Sequence, residues 1–254
     1  MKHKIITFGE LMLRLSPDNN ERFTQAHSYE AVYGGGEANT AVSLANFNVD
    51  TRYVTKLPNH TIGQSAVNSL RQYGVDVSRI VRGGDQIGIY FLEKKTSQRP
   101  TNVIYNRNGS AFALATKEDF DWNSIFEGAT WFHFSGITPA ISDNMAEITI
   151  EACKEAKKRN ITVSCDLNYR SKLWSSEKAN KVMSEVCKYV DICIANEDDA
   201  VGIFGMDASK SDKEKNAYIA EELTKMFPNF KMVASVWRTE TSITTFKLQS
   251  MIYT

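Results

Sequence analysis

Two stretches end in the residue types that handle carboxylates and phosphates. "SCDLNYR" (164–170) closes an apolar run with Asp166, Asn168 and Arg170. "ANEDDA" (195–200) closes the next with Asn196, Glu197, Asp198 and Asp199. In an open α/β sheet, ligands bind beyond the carboxyl ends of strands, so two successive polar strand ends describe one rim of a site. Each also has a plainer explanation. The first fits helix capping with a solvated arginine, and the second fits an acidic helix start that suits the helix dipole. Oxygen ligands at the second stretch would suit Mg²⁺ held through water.

A third feature is "VYGGGEANTAVSLANF" (32–47), where Gly34, Gly35 and Gly36 precede a helical pattern. No GK[ST] follows and the GxGxxG spacing is absent, so this is neither a P-loop nor a dinucleotide fingerprint. A tight turn explains one or two of the glycines. Three ahead of a helix start point to a polar ligand approaching exposed N–H groups. "VIYNR" (103–107) adds Tyr105 and Arg107, with Tyr90 on a neighbouring strand. Arg107 and Arg170 together would grip a carboxylate, at about 1.5–3 kcal/mol for each charge-assisted bond.

The elements that must position these residues alternate through the second half. Strands are expected at 129–134, 161–167, 190–196 and 231–237. Helices are expected at 143–160, with Asp143 as its cap, at 176–189, as a short element after Asn196, and at 213–227. That order implies right-handed βαβ crossovers and a mostly parallel sheet covered by helices. Near the N-terminus, 10–17 and 22–33 read as short extended pieces. Residues 87–95 and 101–107 alternate like two antiparallel strands joined by a polar turn. Together these form a small sheet standing off the main one, whose apolar face needs a cover: a ligand, the main domain or a second subunit.

The 254 residues suit one large domain, with 30 basic residues balancing 30 acidic ones. That balance gives no electrostatic case for nucleic acid or an anionic membrane. Cys153, Cys165, Cys187 and Cys193 form no CxxC pair and read as buried reduced thiols, implying a reducing, cytoplasmic compartment. The four histidines lack metal-ligand spacing. The N-terminus reads as a first strand, with no signal peptide and no membrane span.

Taken together, "FGELMLRLSP" (8–17), "ERFTQAHSYEAVYGGGEANTAVSLANF" (21–47), residues 54–93, "FHFSGITPA" (132–140), "VSCDLNYRSKLW" (163–174) and "IANEDDA" (194–200) resemble the ribokinase-like (PfkB) carbohydrate kinases. Among these the likeness is to kinases of 2-keto-3-deoxy sugar acids, over most of residues 1–235. The resemblance implies a ribokinase-like α/β domain over 1–254 with a β-sheet lid from about 10–33 and 87–107, often shared in a homo-oligomer. It implies MgATP-dependent phosphorylation of the carbon-6 hydroxyl of 2-keto-3-deoxygluconate. On matching positions, Gly34, Gly35, Gly36, Asn39, Tyr90, Tyr105, Arg107, Asp166 and Arg170 take the substrate. Arg170 is the catalytic-side cation. Asn168, Asn196, Glu197 and Arg238 lie toward the nucleotide, and Glu197 influences the metal indirectly.

One departure bears on activity. The family's GAGD-like loop, whose aspartate is the general base, has no counterpart after residue 200. A positioned base is worth about 10²–10⁴ in rate, so the 254 residues alone are expected to turn over poorly. An apolar face is also expected to lie open and favour self-association. Two alternatives stand: a sugar-acid-binding or dimerisation module without chemistry, and a kinase of a neutral sugar such as fructose or ribose. The arginine pair argues against the latter, because a neutral sugar leaves two cations without an anionic partner.

Overall fold

The computed structural model describes residues 3–96, 99–207, 209, 214–242 and 245–254. The chain forms two compact units, Met1–Glu127 and Gly128–Thr254.

In the first unit, β1 (Lys4–Phe8) lies parallel to β4 (Asp50–Val54). Between them run β2 (Met12–Pro17), β3 (Tyr29–Gly34) and α1 (Gly36–Asn46). After them come β5 (Lys56–Leu57), α2 (Thr61–Arg71), β6 (Val81–Arg82), β7 (Ile89–Glu93), β8 (Asn102–Asn106) and the short α3 (Trp122–Ile125). A separate four-stranded sheet forms in the order β3-β2-β7-β8. The expected antiparallel pairing of its last two strands is present, with Tyr90 opposite Tyr105. The expected extended piece at 22–33 shrinks to β3, because 23–25 turn back on themselves through the bond from Gln25 N–H to Arg22 O. Phe8 is buried among Phe112, Phe120 and Trp122, each edge-on at 5.2–5.4 Å. The Arg52 guanidinium is also buried, held by Asp76 and by the carbonyls of Ser124 and Ile125.

The second unit alternates as expected: β9 (Trp131–Ser135), α4 (Ile137–Ala140), α5 (Asp143–Lys158), β10 (Thr162–Asp166), α6 (Ser176–Val186), β11 (Ile192–Ile194), α7 (Glu197–Phe204), α8 (Lys215–Met226), β12 (Met232–Glu240) and β13 (Phe246–Tyr253). Strands β9 to β12 are parallel neighbours in that order, and β13 closes back antiparallel on β12. The cap of α5 is Ser142, one residue before the expected Asp143. Ser142 takes the extended backbone a cap needs, and its hydroxyl accepts from Met145 N–H at 3.2 Å. Helix α5 then buries Met145, Ile148, Thr149, Ala152, Cys153 and Ala156, a stripe at helical spacing. The expected start of α8, residue 213, lies outside the described residues.

One face of this sheet buries Phe132, Phe134, Val163, Cys165, Cys193 and Val233. All four cysteines are free and buried, and burial pushes their thiols up. Buried Asp191 ties the strand starts together, accepting from Lys157 Nζ and from Val163 N–H, both at 2.9 Å. The β12–β13 hairpin turns Ala234, Val236, Phe246, Leu248 and Ile252 to one common face. There Leu248 and Ile252 are each 64% exposed, beside Arg238, Glu240 and Ser250 on the same face. Among the described residues, no helix is long and apolar enough to cross a membrane.

Candidate functional site

The first unit gathers one set of candidates. Strand β3 ends at Gly34, paired with Met12, and α1 starts at Gly36 with Gly35 as its cap residue. The glycines differ in what surrounds them. A Cβ on Gly35 would stand 2.2 Å from the Glu10 carbonyl oxygen, so this glycine is required by the protein's own backbone. A Cβ on Gly34 would meet only the Tyr90 hydroxyl at 3.8 Å and Asn39 Oδ1 at 4.0 Å, and one on Gly36 meets nothing within 4 Å. Space for a ligand is therefore left at Gly34 and Gly36.

The small sheet brings Tyr90 and Tyr105 together, ring centroids 5.8 Å apart, and sets the Arg107 guanidinium 5.9 Å from the Tyr105 ring centroid. Tyr105 is 51% exposed whereas Arg107 is only 5% exposed. Arg107 is paired within the protein. Its Nε donates to Glu10 Oε2 at 2.7 Å, and its Nη2 pairs with the same oxygen. The Ser110 hydroxyl donates to Glu10 Oε1 at 2.5 Å. Burial holds the Glu10 carboxyl above the usual carboxylate range. The Arg107 charge and the Ser110 bond oppose that shift, and the nearby Glu37 adds to it. A groove of about 550 Å³ runs past Tyr33, Gly34, Asn39, Val42 and Tyr73.

The second unit gathers the other set. Asp166 ends β10, half-buried, and Asn168 takes a left-handed conformation at φ 39°. Tyr169 N–H then donates to Asp199 Oδ1 at 2.7 Å. Arg170 is exposed, and among the described residues its guanidinium has no hydrogen-bond or ion-pair partner. At the start of α7, Asn196 and Asp199 cap one another. Asp199 N–H donates to Asn196 Oδ1 at 2.9 Å and Asn196 N–H to Asp199 Oδ2 at 3.3 Å. Burial raises the Asp199 carboxyl above its ordinary value against those bonds and the Arg170 charge. Glu197 faces outward and takes Lys215 Nζ at 2.8 Å.

Asn196, Glu197, Lys215, Trp237 and Arg238 line a second groove of about 530 Å³. Arg238 lies 4.4 Å from the Phe246 ring centroid and pairs with Glu240 at 2.6 Å. Among the described residues, no group of three or more His, Cys, Asp or Glu side chains is placed to hold a metal.

Sequence reasoning missed Glu10 and Ser110, and took Asp199 only as one member of an acidic run. Glu10 is a lone charge inside the apolar run "FGELML", which is itself a signal. Asp199 stands three residues after Asn196, the spacing of a capping box.

A profile described as pfkB family carbohydrate kinase matches residues 2–229. The 2-dehydro-3-deoxygalactonokinase of Haloferax volcanii is 37% identical over 209 residues, 82% of this chain and 65% of that protein. The 2-dehydro-3-deoxygluconokinase of Bacillus subtilis is 28% identical over 70% of this chain and 55% of its own length. The chain thus spans just under two thirds of the first of these and little over half of the second. The crystal structure of 2-dehydro-3-deoxygluconokinase from Thermotoga maritima superposes with a TM-score of 0.95 at 47% identity, covering 100% of this chain and 77% of that one.

Proposed function

This chain belongs to the pfkB family of carbohydrate kinases, and on that premise we propose that it serves ATP-dependent phosphorylation of a 2-keto-3-deoxy sugar acid. The phosphoryl acceptor is the carbon-6 hydroxyl of 2-keto-3-deoxygluconate. The observation that carries this reading is the cluster of Tyr90, Tyr105 and Arg107 on the small sheet, with the Tyr90 hydroxyl beside the open side of Gly34. Two aromatic faces and an arginine suit a sugar ring bearing a carboxylate. In this reading Gly34, Gly36, Asn39, Tyr90, Tyr105 and Arg107 take the sugar acid. Arg170, whose guanidinium has no hydrogen-bond or ion-pair partner among the described residues, supplies the second cationic contact, and Asp166 takes a hydroxyl of the sugar.

Asn168, Asn196, Glu197 and Arg238 face the nucleotide, with the 530 Å³ groove as its phosphate side. Mg²⁺ would offset phosphate charge when bound, and Glu197 is the residue that would influence it indirectly. The small sheet acts as a lid and as the surface for a second copy, which the exposed Tyr29 and Ile104, on one face of it, support. The four buried free thiols fit a reducing compartment such as the cytoplasm.

The test is an ATP-coupled assay and calorimetry on the chain with 2-keto-3-deoxygluconate, 2-keto-3-deoxygalactonate, fructose and ribose. A sugar-acid preference of tenfold or more supports the reading, and equal or better use of a neutral sugar overturns it. A second reading is binding of the sugar acid without turnover. It is met if the acid binds with MgATP present and no ADP forms.

A further inference from the structure

The mechanism above uses Arg107 but not the acid that holds it. Glu10 is 4% exposed and lies 97 residues earlier in the chain, yet both described bonds of the Arg107 guanidinium go to its Oε2. Its other oxygen is taken by Ser110, whose hydroxyl in turn accepts from Ala113 N–H at 3.1 Å. The carboxylate is therefore fixed from both ends. Arg107 Nη1 is the guanidinium nitrogen with no hydrogen bond among the described residues.

The surrounding chain is cleared for this arrangement. A Cβ on Gly88 would stand 2.5 Å from Glu10 Oε1, and one on Gly35 would stand 2.2 Å from the Glu10 carbonyl. A Cβ on Gly9 would stand 2.2 Å from Glu37 Oε2, the second buried carboxylate beside Glu10. Burying an arginine needs a partner with good geometry, and a lone buried cation would be strongly unfavourable. A salt bridge needed only for stability does not require one nitrogen of the guanidinium to stay unused beside Tyr105.

We propose that Glu10 is the positioning residue of the acid-recognising arginine, fixing Arg107 by Nε and Nη2 so that Nη1 is presented to the substrate carboxylate. This rests on the sugar-acid reading. It implies that acid selectivity depends on where the Glu10 carboxylate sits, beyond its charge.

Two variants move the carboxylate while keeping its charge. Glu10→Asp shortens its reach by one methylene. Gly88→Ala pushes on Oε1 and the carboxyl carbon, displacing the carboxylate from its bond with Ser110. Calorimetry on the whole chain measures Kd for 2-keto-3-deoxygluconate and for the neutral 3-deoxyhexosulose that lacks the carboxylate. Thermal unfolding and far-UV circular dichroism are recorded alongside.

Misplacing one charge-assisted bond should weaken the acid about tenfold in both variants and leave the neutral sugar within about twofold. Acid affinity unchanged in both, or acid and neutral sugar weakened together, overturns the proposal and makes Glu10 a structural residue. Glu10→Gln supplies a separate reading. Tighter acid binding there would show Glu10 competing with the substrate for Arg107, which also overturns it. If the unsubstituted chain binds the acid no better than the neutral sugar, the sugar-acid reading itself fails, a result distinct from all of these.

Discussion

Asp199 joins the two polar strand ends of the second unit, and replacing it separates them. Its Oδ1 accepts from Tyr169 N–H at 2.7 Å, inside the loop that carries Asn168 and Arg170. Its Oδ2 and its own N–H complete the capping box with Asn196. In Asp199→Ala the helix loses half of a reciprocal cap, a cost of about 1 kcal/mol. The half-buried Tyr169 amide loses its acceptor, a cost of about 1–3 kcal/mol. The sum is about 2–4 kcal/mol. Asp199→Asn keeps a carbonyl oxygen for Tyr169 but sets an N–H₂ against Asn196 N–H, so about half of that loss is expected.

Urea unfolding measures both, and the slope should match the parent while the midpoint falls. Because the loop bearing Arg170 is released, sugar-acid and nucleotide affinity should fall together in the alanine variant, which no loss confined to helix stability would produce. An alanine variant within about 0.5 kcal/mol of the parent at equal slope would refute this reasoning, since neither bond could then carry weight.

The glycine run predicts a contrast. Gly35→Ala forces a Cβ against the Glu10 carbonyl and should cost about 1–3 kcal/mol by overpacking. Gly36→Ala, with open space and a helical position, should leave stability level or raise it by up to about 1 kcal/mol in thermal unfolding while weakening the sugar acid. Asp76 gives a pH dependence. Burial pushes its carboxyl up, but bonds from Ser78 and the Arg52 pair outweigh this and bring it to about 2. The folded value lies below the unfolded one, so its contribution is present above pH about 4 and is lost as pH falls toward about 2. Asp76→Asn should flatten that acid limb in unfolding measured across the range. The exposed face of the β12–β13 hairpin should drive self-association. Sedimentation of a Leu248→Lys, Ile252→Lys chain should show a smaller species than the parent, and an unchanged distribution would discard that face.

What the sequence made legible follows from how local each feature is. Alternation and a short polar turn were enough to pair residues 87–95 with 101–107, and the Tyr90–Tyr105 pairing then followed from the register. The stripe of α5 and the strand order from β9 to β12 were equally local, resting on period and on crossovers. The stretch 22–28 failed because its own short-range backbone bonds outcompete extension. At "NEDD" the acid run looked uniform, yet capping geometry selects the residue three after Asn196, so Asp199 turns inward while Glu197 meets Lys215 at the surface.

The sequence offers Arg107 as one of two carboxylate-gripping arginines and gives no sign of the acid that holds it. Its partner is distant in sequence, and no periodicity links them. The trace left in the sequence is subtractive: side chains missing at Gly35 and Gly88, each where a Cβ would strike Glu10. Such a trace is ambiguous until the fold is known, since a glycine kept for a ligand and one kept for a neighbouring carbonyl look alike. Gly35 and Gly36 stand side by side and separate on that point: the first makes room for the protein, and the second leaves room beside it.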